Sequence, residues 1–300
     1  MKAIIPIAGQ GTRLEPHTKR IQKCLLPVGG RPVLEHILDP LREIGVNKVT
    51  LIIGYLGDQV KEYVRGISDF NFSFIRQKER LGLAHAINLG LDNSEEPVLI
   101  ILGDSIIEVD YTDFVNSNSN VIGVVEVSDP ERFGIVEHKD GNITRLEEKP
   151  QVPASNLAIA GLYYIKKQSR LNAAVQYLIR NQIRTRGEYQ LTDALQHMVS
   201  AGDEFTLKPI DNLLDCGVPQ TLLATNRILF KRKGASRISG ESQVIRSRIS
   251  NCYISKGCLV ESAALDNVIM LPDSQVRHIH LVDTIVGFEE LIEGIDPRKK

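Results

Sequence analysis

The sequence has no tryptophan, only four cysteines, and almost no excess of charge of either sign. It also lacks any apolar run approaching the roughly 18 residues that a membrane helix needs. All but the first of these shortages remove a class of protein. Lys and Arg total 36 against 37 Asp and Glu, a net charge of −1. That argues against a broad polycation for nucleic acid, though not against a local phosphate site. Cys24, Cys216, Cys252 and Cys258 show no C-x-x-C spacing, so they read as free thiols in a reducing compartment. The seven histidines form no H-E-x-x-H pattern, and His278 and His280, two apart on a strand, have no third metal ligand nearby. The opening MKAIIPIAG turns glycine-rich too soon for a signal peptide. Together these features predict a cytoplasmic protein with no membrane or nucleic-acid partner. The missing tryptophan excludes nothing by itself.

What is present is ordinary globular material. At 300 residues the chain has a soft prior of about two domains. It can bury roughly three quarters of its unfolded surface. The first part alternates strand and helix signals. Ala3 to Ile7 is a buried strand that runs into Gly9 and Gly11. Val33, Leu34, Ile37, Leu38, Leu41 and Ile44 fall at helical spacing up to Gly45. Pro40 inside that pattern predicts a kink or a cost of about 3 kcal/mol. Buried strands recur at 49–53, 72–75 and 98–102, with a helix at 83–91. This implies a parallel sheet covered on both faces.

Further along the pattern becomes mixed. Strands are predicted at 121–127 and 158–165, and Asp140-Gly141-Asn142 is a strong hairpin turn. Helices are predicted at 168–182, 188–201 and about 220–230, with strands at 205–210 and 213–214. The fold predicted is α/β: a doubly wound, mixed, mainly parallel sheet. A composition shift near Lys231-Arg232-Lys233-Gly234 places a boundary, dividing the chain into 1–232 and 233–300. Beyond it, aliphatics recur about every six residues: Ile238 and Val244, Ile254 and Val260, Leu259, Leu265 and Leu271, Val276 and Val282, Ile279 and Ile285. A six-residue period points to a short, degenerate left-handed parallel β-helix, with irregular hairpins as the alternative.

The loop after the first strand carries the chemistry. Residues 8–14 read AGQGTRL, and glycines there let backbone N–H groups approach a phosphate. The Walker A string is absent, and the dinucleotide fingerprint fails at its third glycine, where Leu14 stands. Arg13 lies in the loop and Lys23 follows, leading into Leu25-Leu26-Pro27-Val28-Gly29-Gly30-Arg31-Pro32. An Arg and a Lys converging on glycine-loop amides make a polyphosphate site.

Residues 9–34 resemble the signature of the sugar-phosphate nucleotidylyltransferases. The likeness continues in order through Gln77 with Leu81-Gly82-Leu83-Ala84-His85-Ala86 and Leu102-Gly103-Asp104. It then runs through Asp129 to Gly134, Glu147-Glu148-Lys149-Pro150, Ala160 to Tyr163, Gly187 to Ala194, Leu214 to Pro219 and Ala224-Thr225-Asn226. It covers about residues 2–232. With the tail, the chain is most similar to the long-form glucose-1-phosphate thymidylyltransferase branch.

The resemblance implies that a sugar 1-phosphate oxygen attacks the α-phosphorus of a nucleoside triphosphate and pyrophosphate leaves in line. Two anions must meet, so positioning and electrostatic stabilisation carry the catalysis. By resemblance, Ala8, Gly9, Gly11 and Thr12 hold the triphosphate, and Gln77 and Gly82 read the base. Arg13, Lys23, Lys149 and Asp104 are the expected catalytic residues. Gly134, Glu148, Gly161, Tyr163 and Glu188 are expected on the sugar. Asp104 and Asp215 are the expected ligands of Mg²⁺, which prefers oxygen. The expected pair is dTTP with glucose 1-phosphate, with UTP or another nucleotide and sugar pairing as the alternative. A non-catalytic regulatory homologue is a further reading, and the tail is expected to mediate homo-oligomerisation. Leu213-Leu214 stands where many relatives carry a Trp, and Cys216 and Val218 stand where they carry Thr, which leaves the sugar open.

Overall fold

The computed structural model describes residues 1–295, so the last five residues of the predicted tail lie outside it. The described chain forms two compact units. The first holds Met1–Gly9 and Ile37–Leu213, and the second holds Gln10–His36 and the chain from Leu214 onward.

The first unit is built on a nine-stranded sheet. Its strands are β1 Lys2–Ile7, β2 Lys48–Ile53, β3 Asn71–Arg76, β4 Val98–Ile101, β5 Asn120–Glu126, β6 Gly134–Lys139, β7 Asn142–Glu148, β8 Leu157–Ile165 and β9 Phe205–Pro209. The order is β3-β2-β1-β4-β8-β5-β9-β7-β6. From β3 to β4 every pair is parallel, with Ile5 opposite Leu51 and Ala3 opposite Leu99. At β8 the direction reverses. β1 and β4 are buried on both faces, which is why they read as continuous apolar runs rather than alternations. The predicted hairpin forms between β6 and β7, with Asp140 at φ 50° and Gly141 at φ 82°. Two positive-φ residues in a two-residue loop match the strand twist.

The helices that matter for the site are α1 Val33–Glu43, α2 Gly57–Val64, α3 Leu83–Gly90, α4 Gln168–Arg180, α5 Leu191–Ser200 and α6 Pro219–Lys233. α1 runs through Pro40, which lies inside the helix. α2 spans only eight residues, too short a run for periodicity to single out. α6 extends three residues further than the pattern suggested. The basic run Lys231-Arg232-Lys233 is its last turn, and Gly234 caps it at φ 72°. Cations there oppose the negative end of the helix dipole.

The second unit contains a parallel-strand region beyond α6 whose registers share one offset. Val244, Val260, Val276 and Ile292 are aligned across successive strands. So are Ile249, Leu265 and Leu281, and Ile238, Ile254, Met270 and Val286. Each column advances by 16 residues. Within one repeat the inward positions Val244, Ile249, Ile254 and Val260 are five, five and six apart. The expected interval of about six is therefore corrected to steps of five, five and six. Val282, paired in that reading with Val276, is 45% exposed. The repeat is also written in the backbone. Residues 246, 262 and 278, then 251, 267 and 283, then 257, 273 and 289 all adopt positive φ. Three left-handed corners per repeat shorten each side and set the offset.

The corner residue Asn267 is fully buried at φ 55°. Its amide nitrogen donates to Leu223 O (2.9 Å) on α6 and to Asp283 Oδ1, and its oxygen accepts from Asn226 Nδ2 at 2.8 Å. Asn226 in turn accepts from Gly29 N–H at 2.9 Å. Asn267→Ala strands these buried groups and puts a Cβ residue without local compensation at positive φ. The expected cost is about 2–4 kcal/mol, read as a lower urea midpoint at unchanged m-value.

Candidate active site

In the first unit, several predicted residues gather at the carboxyl ends of the parallel strands, where open α/β sheets bind ligands. Ala8 follows β1 and is 7% exposed. A Cβ on Gly54, just after β2, would lie 2.5 Å from Ala8 O, so the two strand ends touch. Gly9 is exposed, and a Cβ there would meet nothing within 4 Å. After β4, a Cβ on Gly103 would lie 2.2 Å from Ile7 Cγ2. Only glycine lets the Gly103-Asp104 turn sit beside the end of β1. Gly161, at φ 88° in a bulge of β8, accepts from Leu102 N–H at 3.0 Å, and a Cβ there would lie 2.9 Å from Leu102 Cδ1. Ala8, Asp104 and Gly161 are thus brought to one edge.

Gln77 follows β3 and donates its N–H to Ile53 O at 2.9 Å, extending the ladder by one residue. Its Nε2 lies 3.4 Å from His85 Nδ1 on α3. Gly82 caps α3 at φ 115°, ψ 175°. Tyr189 is stitched to this loop from both sides. Tyr189 N–H donates to Leu81 O at 2.8 Å, and Ala84 N–H donates to Tyr189 O at 3.0 Å. The predicted base-reading loop is therefore fixed by a segment about a hundred residues away in sequence. Glu188 belongs to that segment. It closes a tight turn from Thr185, with Arg186 and Gly187 at positive φ, three residues before α5 begins. The predicted helix start at 188 is corrected accordingly.

The sugar-side residues form a second cluster around Glu148 at the end of β7. Thr192 Oγ1 donates to Glu148 Oε2 at 2.6 Å, and Lys149 Nζ lies 3.3 Å from Glu148 Oε1. A Cβ on Gly134 would reach both Thr192 Oγ1 (2.9 Å) and Glu148 Oε2 (3.1 Å). Lys149 is held at φ 44°, its N–H donating to Phe133 O and its carbonyl accepting from Arg186 Nη2. A non-glycine residue in that region stores strain of order 1–3 kcal/mol, a frequent property of ligand clamps. Tyr163 is buried, and burial together with the Glu148 charge pushes its hydroxyl above its ordinary range. Sequence alone assigns no role to Thr192, Arg186 or His85. The signal available was their place inside matched segments.

Asp193 is the outlier of this cluster. Its Oδ2 is buried with no hydrogen-bond partner among the described residues. Burial pushes its carboxyl above the usual 3.8, with the Glu148 charge adding and a Thr185 hydrogen bond opposing. A raised folded pKa means that the carboxyl favours folding most below pH 3.8 and loses that contribution as pH rises through the folded value. Asp193→Asn is therefore expected to gain stability relative to the native chain between pH 4 and 7. Melting temperatures across that range check it.

The second unit holds the remaining residues. Gly11 adopts φ 68°, and its Cβ position lies 3.0 Å from Thr18 Cγ2 and 3.2 Å from Lys23 Cβ. Thr18 Oγ1 donates to Gly11 O at 2.8 Å, and so does Leu14 N–H. The loop thus wraps directly onto the Lys23 stem, with Thr12 and Arg13 exposed on its short helical turn Thr12–Leu14. Asp215 Oδ1 accepts from Gly217 N–H at 2.9 Å. The Cβ position of Gly217 lies 2.8 Å from that oxygen and 3.4 Å from Arg13 Nη2, so Arg13 and Asp215 border the same glycine. All four cysteines are buried free thiols, and burial pushes Cys252 up to about 11. None is disposed for thiolate chemistry.

The nucleotidyl transferase family profile matches residues 2–232. This chain belongs to the nucleotidyl transferase family. Among relatives, it is 32% identical to the bifunctional protein GlmU of Methanocaldococcus jannaschii over 88% of this chain and 61% of that protein. It therefore spans about three fifths of the length of that relative. It is 27% identical to a glucose-1-phosphate thymidylyltransferase of Streptomyces griseus over 96% of this chain and 92% of the relative. A crystal structure from Bacillus anthracis, assigned as a glucose-1-phosphate thymidylyltransferase, superposes with a TM-score of 0.65 at 28% identity. That match covers 76% of this chain and 95% of the other.

Proposed function

We propose that the chain is a sugar-phosphate nucleotidylyltransferase that joins dTTP to glucose 1-phosphate. The observation that carries this reading is the Gly11 loop wrapped on the stem of Lys23 with Arg13 exposed beside it. Left-handed glycine, backbone N–H groups and two cations of different geometry suit a triphosphate. The phosphate oxygen of the sugar 1-phosphate forms a bond to the α-phosphorus, and the bond to the β-phosphate breaks, releasing pyrophosphate. Arg13 offsets charge on the transferred group and the leaving pyrophosphate, and Lys23 contacts the α-phosphate. Lys149, strained and anchored beside Glu148, receives the sugar phosphate. Glu148 takes a sugar hydroxyl, oriented for it by Thr192. Gly134 and Gly161 leave room for the ring, while Tyr163 and Glu188 border it. Ala8, Gly9, Gly11 and Thr12 serve the phosphates, and Gln77 with Gly82 serves the base.

We assign Mg²⁺ to Asp104 and Asp215 on their chemistry. Both donors are carboxylate oxygens, and Asp215 is already oriented by Gly217 N–H. A Mg²⁺ bound mainly by phosphates and water needs few protein ligands. When bound it lowers the charge barrier between the two anionic substrates. The Streptomyces griseus relative, aligned nearly end to end, supports the dTTP and glucose pairing. UTP is the second reading. His85 beside Gln77 belongs to a motif shared by thymidylyl- and uridylyl-transferring relatives, and it does not separate them.

We also read residues 1–232 as the catalytic part and 233–300 as the tail. The family match over 2–232 supports the division. The 16-residue offset and three corners per repeat support a left-handed parallel β-helix as the form of that tail, serving homo-oligomer contacts. No helix among the described residues is long and apolar enough to cross a membrane. The proposed compartment is the cytoplasm, where the substrates are water-soluble. A matrix of nucleoside triphosphates against sugar 1-phosphates, read by pyrophosphate release, tests the whole proposal. Turnover is expected to be highest with dTTP and glucose 1-phosphate. Nucleotide-sugar binding without turnover would favour the regulatory homologue.

A further inference from the structure

The segment that carries Thr18 meets a part of the tail that the catalytic reading does not use. Thr18, 1% exposed, is the residue on which Gly11 rests. It lies in the short helical turn His17–Lys19, between two residues that meet the segment Gly287 to Glu290. On one side Arg20 Nη2 lies 3.0 Å from Glu289 Oε1, and its guanidinium stands 4.7 Å over the Phe288 ring. Asp273 also acts on Arg20. Asp273 and Glu289 are successive corners of one column, 16 residues apart and both at positive φ. Arg20 thus pairs with the Glu289 carboxylate and lies in the field of a second carboxylate, that of Asp273. On the other side, the His17 ring lies 3.7 Å from the Cβ position of Gly287, in the field of Glu290. Its Nδ1 is buried and has no hydrogen-bond partner among the described residues.

We propose that the turn Gly287–Glu290 is an intramolecular brace for the triphosphate loop, with Arg20 and Phe288 as positioning residues that act through Thr18 and Gly11. The inference rests on the reading of the Gly11 loop as the triphosphate site. The tail then has a catalytic consequence within its own chain, separate from any role in oligomer contacts. Arg20 touches no reacting atom. Its effect is on where the loop amides stand when the triphosphate arrives, so it falls on nucleotide affinity and not on the sugar phosphate.

The test uses the full chain carrying Arg20→Gln or Phe288→Ala. Initial rates are measured with dTTP and glucose 1-phosphate, alongside amide hydrogen exchange and melting temperature. The expected result is a KM for dTTP raised about threefold or more. The KM for glucose 1-phosphate and kcat should stay unchanged, and exchange in residues 11–23 should be faster. Arg20→Lys, which keeps the charge, should recover most of the affinity. Unchanged KM for dTTP with unchanged exchange overturns the brace. Equal rises in both KM values with a lower melting temperature also overturn it, because the contact would then be merely structural. If the native chain turns over no pair, the nucleotidylyltransferase reading fails, and the exchange comparison alone decides the brace.

Discussion

Arg13→Ala is expected to lower kcat about 10²- to 10³-fold, the scale seen when one preorganised stabiliser of developing charge is removed. The melting temperature should stay within about a degree, because an exposed side chain away from buried contacts contributes little to stability. The physical ground is position. Arg13 sits on a three-residue turn whose start, Gly11, is fixed by Thr18 and Lys23, and its guanidinium borders Gly217 beside the Asp215 carboxylate. A planar five-donor group held there can track charge as it moves from the α-phosphate to the leaving pyrophosphate. Arg13→Lys keeps the charge and loses the fork, so an intermediate kcat is expected. Steady-state rates with dTTP and glucose 1-phosphate make the comparison. A variant with undiminished kcat would remove Arg13 from the reacting centre.

Gly82→Ala should damage both fold and nucleotide binding. At φ 115°, ψ 175° the backbone occupies a region almost closed to residues with a Cβ. The added carbon would also stand 2.5 Å from Tyr189 O and 2.7 Å from Tyr189 N, main-chain atoms with no rotamer to relieve the clash. The two costs together come to about 2–4 kcal/mol. Relief requires the 81–84 loop to leave Tyr189, which gives up the two backbone hydrogen bonds joining them. The expected outcome is a melting temperature lower by on the order of 5 °C and a KM for dTTP at least about tenfold higher. Gly9→Ala is the informative contrast. Its Cβ meets nothing within 4 Å, so the fold should be untouched, and any loss of activity reports close approach of a phosphate.

The parts of the site legible in sequence are those governed by local rules. The buried strand running into Gly9 and Gly11, the basic residues at 13 and 23, and the turn at Asp140-Gly141 all follow from periodicity, glycine placement and charge over a few residues. The Gly134–Glu148–Lys149 neighbourhood was reached by resemblance, and the structure places those residues in contact. What stayed hidden needed the closed chain. Thr192 reads in sequence as one hydroxyl on a helix, and only the meeting of α5 with β7 makes it the partner of Glu148. Glu188 read as a helix start because acidic residues favour that place. The turn from Thr185 claims its backbone groups instead.

By itself the sequence determined the alternation of strands and helices, the position of the glycine loop and the change of pattern near Gly234. These depend on side-chain period and on φ preferences within a dozen residues. Tertiary structure decided the 16-residue repeat of the tail, the pinning of Gly82 by Tyr189, the burial of Asp193 Oδ2 and the Arg20–Phe288–Glu289 contact. Each of these joins segments far apart in the chain, and no local preference specifies such a partner. The tail shows the difference most directly. Inward residues five, five and six apart blur into an imperfect period of six along the chain, and become regular columns only when successive repeats pair in parallel.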